Sequence, residues 1–250
     1  MKKLFILISM AVFVGITSPL YAITITEDFS SYGSGTIING SGGDNWGTNW
    51  TTGNGSPTFV GDDGAGKLTA SSAGDSVYRA FNTTLTSIYA NGITIKMKMD
   101  ITAPWEGIYG GFQLVDSNST AGIYISFVND GNIKIRGLTG VGSAGTDLAT
   151  IGGGYFHTVT ITEVDFDNNQ YKAKVDSGVE SEYIAFYAGV ETVSDFQTLS
   201  LLQQNDIYYT SFDDISISNV PEPSTYALFG IGLLGFFGGW IRKKAVSCKH

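Results

Sequence analysis

Ile93-Thr94-Ile95-Lys96-Met97-Lys98-Met99-Asp100-Ile101 alternates without a break, apolar at every odd position and polar or charged at every even one. Side chains of a strand point alternately to opposite faces, so this stretch predicts a strand with one face in a core and the other in water. Working outward, strand-like runs recur at 23–29, 67–70, 76–81, 108–115, 122–128, 132–136, 155–163, 170–176, 183–190 and 207–217. Turn chemistry lies between them: Asn129-Asp130-Gly131 and Asp167-Asn168-Asn169 read as hairpin turns, and Gly137 to Gly145 as a flexible loop. No helical period interrupts the series. So many short strands in one central body predict an all-β chain, a two-sheet antiparallel sandwich.

Composition narrows the function. The 250 residues carry 33 Gly, 13% aromatic side chains and only 15% charged ones, a balance that argues against disorder. Net charge is −9, but Lys2, Lys3, Arg242, Lys243, Lys244 and Lys249 sit at the two ends, leaving eight cations against 22 acids between them. A phosphate backbone needs clustered Lys and Arg, so nucleic acid is excluded as a partner. A single cysteine, Cys248, closes no disulfide within the chain, and two histidines leave little room for His-based zinc or triad chemistry.

Both ends read as addresses. Residues 1–22 have the form of a secretory signal peptide: Lys2 and Lys3, an apolar run from Leu4 to Ile16, then a polar stretch ending Leu20-Tyr21-Ala22, with the mature chain starting near Ile23. At the other end, Val220-Pro221-Glu222-Pro223-Ser224 precedes the uncharged run Tyr226 to Ile241, and then Arg242-Lys243-Lys244. At 1.5 Å per residue that run is about 24 Å long, slightly short for a bilayer core of about 30 Å, with Tyr226 and Trp240 placed for the interfaces. Its five glycines make it a poor helix in water and a better one in lipid. The basic cluster stays in the cytoplasm by the positive-inside rule, so the body between the ends faces outward. The expected organisation is a signal peptide at 1–22, a β-sandwich ectodomain at 23–219, and a sorting end at 220–250.

Pro221-Glu222-Pro223, an apolar span and an Arg/Lys cluster, in that order at the extreme C-terminus, resemble the PEP-CTERM sorting signal. The resemblance implies a membrane-embedded exosortase as partner, cleavage near Pro221-Glu222-Pro223 with Arg242, Lys243 and Lys244 as the membrane stop, and delivery in cells that make exopolysaccharide. A broader resemblance runs through the ectodomain. Glu27-Asp28-Phe29-Ser30-Ser31-Tyr32, Gly42-Gly43-Asp44-Asn45-Trp46 with Trp50, His157-Thr158-Val159-Thr160-Ile161-Thr162 and Phe212-Asp213-Asp214-Ile215 look like the concanavalin-A-like, laminin-G-like jelly rolls. That fold implies adjacent first and last strands and a sheet that faces glycan.

Three chemistries have candidate residues. Jelly-roll glycoside hydrolases use Glu-x-Asp-x-x-Glu or a one-residue longer variant. Glu163-Val164-Asp165 supplies the first half, but Asn168 and Asn169 hold the second, and an amide delivers no proton to a leaving oxygen. His157 has no nucleophile near it in sequence. The expectation is therefore a protein without catalytic residues, with a glycan-active enzyme as the alternative. Structural calcium is the one cofactor that the sequence suggests. Glu27 and Asp28 on the first strand would approach Asp213 and Asp214 on the last, and uncompensated carboxylates there would call for a cation, unless the acids are simply solvated turns. For glycan, Trp46, Trp50 and Trp105 are the candidates, because aromatic faces pack against sugar rings; the competing reading is that they are core. The sequence thus predicts an exported surface or matrix protein that binds carbohydrate or exopolysaccharide, or one that is purely structural.

Overall fold

The computed structural model describes residues 23–218, apart from 39, 41, 87–91, 100–105, 141–143, 188–191 and 207. Fifteen strands run through the described residues: β1 (Thr24–Glu27), β2 (Thr51–Asn54), β3 (Thr58–Asp62), β4 (Ala65–Thr69), β5 (Asp75–Leu85), β6 (Ile93–Met99), β7 (Gly107–Val115), β8 (Ala121–Asn129), β9 (Ile133–Leu138), β10 (Gly145–Thr150), β11 (His157–Asp165), β12 (Gln170–Val175), β13 (Ile184–Ala185), β14 (Phe196–Gln203) and β15 (Tyr209–Ser218). Among the described residues there is no helix. The signal-peptide and sorting ends lie outside the described residues.

The strands form two antiparallel sheets, one in the order β13-β12-β11-β6-β15-β4-β3 with β1 also on β15, the other in the order β10-β9-β8-β7-β14-β5-β2. β15 organises the first sheet. β6 pairs along one edge of it, while β4 takes Tyr209–Phe212 and β1 takes Ile215–Ser218 on the other edge. First and last strands are therefore neighbours, as the jelly-roll resemblance implies.

The alternation of 93–99 is realised as read. Ile93, Ile95, Met97 and Met99 are buried in the core between the sheets, and Thr94, Lys96 and Lys98 are half-buried on the far side. The core brings together Phe112, Leu114, Ile123, Ile125 and Phe127 from one sheet with Val159, Ile161, Tyr171, Phe212 and Ile217 from the other. Four strands escape the sequence reading. β14 sits between β7 and β5 with Leu199, Leu201, Leu202 and Gln203 all buried, so the two-residue period that marks a half-buried strand is blurred. β2 and β10 are exposed edge strands, and β3 is an edge as well. Of the expected run 183–190, the described residues 183–187 hold a strand only at Ile184–Ala185, and 188–190 lie outside the described residues.

The glycine-rich segment before β2 is held by one side chain. Arg79, on β5, is 4% exposed and donates from Nε to the Thr48 carbonyl (2.8 Å), from Nη1 to the Gly42 carbonyl (2.9 Å) and to Glu27 Oε2 (2.7 Å), and from Nη2 to the Gly40 carbonyl. Glu27 is on β1, so this ion pair ties the two sheets together. The chain comes close enough that a Cβ on Gly43, whose φ is +76°, would lie 2.0 Å from the Thr26 carbonyl oxygen. Phe29, in the left-handed region at φ 55°, donates its amide to Glu27 Oε1, so the same carboxylate fixes that strained residue. Asp75, at the start of β5, caps the preceding turn by accepting from Ser71 N and Oγ (2.7 and 2.9 Å) and from Ser72 Oγ (2.7 Å). Burial pushes its carboxyl up, but the Ser72 and Ser71 hydroxyls and amides outweigh burial and hold the pKa at about 2.

Two outcomes follow. Arg79→Ala strands a buried carboxylate and three carbonyls, and is expected to lower the unfolding free energy by about 3–5 kcal/mol in urea denaturation, with Arg79→Lys recovering little because an ammonium lacks the fork. For Asp75, a pKa below its unfolded value of 3.8 gives stability that is present above about pH 4 and lost as pH falls through about 2. The wild type should lose about 2 kcal/mol over that window relative to Asp75→Asn. Parallel acid limbs would show that Asp75 contributes nothing of the kind.

Candidate functional site

The tryptophan loop turns inward. Trp50 is 8% exposed and packs in the core, with ring centroids 5.3 Å from Phe59, 6.2 Å from Phe29 and 5.7 Å from Trp46. Trp46 is half-buried, donates Nε1 to the Thr26 carbonyl (2.9 Å), and packs on Phe81 and under the Arg79 guanidinium, 4.7 Å from its ring. The expectation that Trp46 and Trp50 display ring faces to a sugar is thus corrected. Arg79 draws their loop onto the sandwich, and their faces are spent on other aromatic rings. Trp105 lies outside the described residues, as do Pro221, Glu222, Pro223, Arg242, Lys243 and Lys244.

The four acids of the end strands are neighbours in register, Glu27 opposite Ile215, but they do not converge. Glu27 points into the core to Arg79. Asp28 points out and accepts from Ser30 N and Oγ (3.1 and 2.9 Å). Asp214 is ion-paired with Lys96. Asp213 is half-buried, and burial, with Asp214 beside it, pushes its carboxyl up. Arg79 and Lys96 compensate Glu27 and Asp214, while the charges of Asp214 and Asp28 add to burial in pushing the Asp213 carboxyl up. Among the described residues no three His, Cys, Asp or Glu side chains gather as a metal site.

The Glu163–Asp165 segment serves its hairpin. Asp165 accepts from Asn168 N and Nδ2 and from Gln170 Nε2, while Glu163 takes Tyr183 Oη (2.5 Å) and Lys172 (3.2 Å). His157 Nδ1 lies 2.8 Å from Asp176. Burial works against the Asp176 carboxylate, but hydrogen bonds from His157 and the Thr158 amide hold its pKa below the usual range.

A row of polar side chains lies elsewhere, on the face of the seven-stranded sheet that points away from the main core, where Tyr124, Ser126 and Leu202 are buried and Tyr78, Ser200 and Gln113 are at least partly open. Val77, Leu201, Phe112 and Ile125 point into the core, so their strand neighbours point out. Register then lines up Thr51, Tyr78, Ser200, Gln113 and Tyr124 across β2, β5, β14, β7 and β8. The row from Tyr78 to Tyr124 crosses three strand spacings, about 14 Å. Tyr78 is 36% exposed; Ser200 and Gln113 are half-buried. Tyr124 is covered by Tyr187, edge-on at 5.1 Å, and its hydroxyl accepts from Gln204 Nε2 at 3.4 Å. The next row, Ser76, Leu202, Gly111, Ser126, Arg136 and Asp147, places small side chains at its centre. Gly111 is required there, because a Cβ would fall 2.0 Å from the Ile125 carbonyl oxygen. Lys134 and Arg136 at the far side are neutralised by Asp130 and Asp147 at 2.5–3.1 Å. This face offers aromatic edges, hydroxyls and an amide with balanced charge. Sequence reading missed it because the row passes through β14.

Comparisons bear on the fold and on the C-terminus. The chain is similar to alginate lyase Aly36B, solved in complex with alginate trisaccharide (TM-score 0.55, 11% identity, covering 79% of this chain and 98% of that one). It is also similar to a conserved carbohydrate esterase, vb_24B_21, from Shiga toxin-encoding bacteriophage phi24B (TM-score 0.51, 15% identity, 77% and 98%). A sialidase matches at TM-score 0.53 and 13% identity over 80% of this chain, which spans only 18% of that larger protein. At these identities the likeness shows a shared jelly-roll fold. No curated protein sequence matches. Residues 219–243 match the PEP-CTERM protein-sorting motif. The chain is therefore an exported, membrane-processed protein that carries a PEP-CTERM sorting motif behind a jelly-roll domain.

Proposed function

We propose that this protein is a non-catalytic carbohydrate-binding component of the cell surface or extracellular matrix. In this reading the precursor sits in the inner membrane through the apolar run 226–241, an exosortase acts at Pro221-Glu222-Pro223, and the released domain binds exopolysaccharide through the Tyr78–Ser200–Gln113–Tyr124 row. The observation that carries it is the register. It sets an exposed tyrosine, a hydroxyl and an amide in one line across the outer face of a sheet. Polar groups of this kind hold sugar hydroxyls, and an aromatic ring packs against a sugar's C–H face. Binding rather than turnover is favoured because no carboxylate stands in the row, and the acids beside it, Asp130 and Asp147, are held by Lys134 and Arg136. Calcium has no assigned part in the reading.

Titration with a panel of neutral oligosaccharides tests the binding. At least one should bind, and Tyr78→Ala should weaken it about tenfold, the worth of one aromatic contact. Loss of polysaccharide to measurable turnover by the protein would instead select the enzyme. The sorting step is tested separately: replacing Pro221, Glu222 and Pro223 with alanine should leave full-length precursor in the membrane fraction, and normal release would contradict it.

A further inference from the structure

The eight-stranded sheet carries a different chemistry on its outer face. Lys67 on β4, Lys96 and Lys98 on β6, and Lys172 and Lys174 on β12 all alternate with core residues and point away from the core. Three of them are distinguished by their partners. Lys96 is tied to Asp214, and Lys172 to Glu163 and Glu180. Lys98 stands over the Phe156 ring, 4.7 Å from its centroid, and among the described residues no carboxylate lies within ion-pair distance of it.

Register places Ser211, on β15, directly between Lys98 and Lys67. The two lysine backbones are two strand spacings apart, about 10 Å, a gap that their long side chains span. Lys67 Nζ lies 4.0 Å over the Tyr209 ring and 3.6 Å from Asp62 at the sheet edge. Beneath them Ser211 is 1% exposed, and its hydroxyl is buried without a hydrogen-bond partner. A buried hydroxyl left unpaired costs free energy, which a ligand acceptor at this position would recover. The site thus gathers two ammonium groups and an unspent hydroxyl donor, walled by the rings of Tyr209 and Phe156. Asp213 faces the same side two residues further along β15, directly opposite Lys96 on β6, whose ammonium is paired with Asp214.

We infer that Lys67, Ser211 and Lys98 form a subsite for the carboxylate of an acidic sugar, a hexuronate residue, whose ring packs against Tyr209 or Phe156. The three donors meet the carboxylate oxygens, and lysine side-chain movement opens Ser211 to the ligand. The domain's distant acids do not prevent this at physiological ionic strength, where the screening length is about 8 Å and contact pairs persist. The inference takes only the carbohydrate class from the reading above; the subsite lies on the opposite outer face of the sandwich from Tyr78.

Calorimetric titration of the full-length protein in nonionic detergent, at about 0.15 M salt, uses three probes: trigalacturonate, maltotriose and sodium acetate. Trigalacturonate should bind, and Lys98→Gln and Ser211→Ala should each weaken it about tenfold, the worth of one charge-assisted hydrogen bond. Tyr78→Ala should leave it unchanged. Ser211→Ala should not lower the thermal midpoint, because it removes an unpaired buried group, which separates a ligand role from a structural one. Absence of trigalacturonate binding, indifference to both substitutions, or equal competition by acetate at the same carboxylate concentration would overturn the subsite. Maltotriose binding that responds to Tyr78→Ala reports on the other face alone, so either reading can fail without the other.

Discussion

Glu27 belongs to β1 in one sheet and Arg79 to β5 in the other, and their buried ion pair, 2.7 Å long, bridges the sandwich at the end where the chain begins. Two charges in a core are tolerated only when every remaining donor and acceptor is satisfied. Here the guanidinium gives three further N–H groups to the carbonyls of Gly40, Gly42 and Thr48, and the carboxylate takes the Phe29 amide. A segment of glycines, serines and asparagines, with little apolar surface of its own, thereby acquires one conformation. Trp46 and Trp50 are carried inward with it and close the core over Phe29, Phe59 and Phe81.

The loop carrying these aromatics is thereby packed onto the sandwich, and the proposed recognition falls to the sheet faces. The two faces differ because their strands differ. Around β14 the outward positions are Ser200, Tyr78 and Gln113, neutral groups with Lys134 and Arg136 neutralised at one side. On the other sheet the outward positions of β4, β6 and β12 are lysines, several of them standing over aromatic rings. The domain that precedes the PEP-CTERM motif thus has two chemically distinct outer faces, one neutral and one lined with lysines.

What was legible in the sequence was local. The period of 93–99 gives β6 and its facing, and the order Pro221-Glu222-Pro223, apolar run, basic cluster gives the sorting motif. The alternation that reads β1 also separates Glu27 from Asp28 onto opposite faces, so that only Glu27 meets Arg79 in the core. The rest depended on contacts far apart in the chain. Nothing near Trp50 announces Arg79 as the group that buries its loop. β2, Thr51-Thr52-Gly53-Asn54, is a strand only because β5 pairs with it. Leu199, Leu201, Leu202 and Gln203 conceal β14, and with it the row that crosses the sheet, because a central strand buried on both faces loses its alternation.

Hydrogen–deuterium exchange of the full-length protein, with and without a neutral oligosaccharide that it binds, tests most directly whether recognition belongs to the seven-stranded face. The account predicts added protection in peptides covering 75–82, 107–115, 121–129 and 196–204, with the segment 40–50 unchanged. Protection centred on 40–50, with those four strands unaffected, would return recognition to the tryptophan loop and contradict the account.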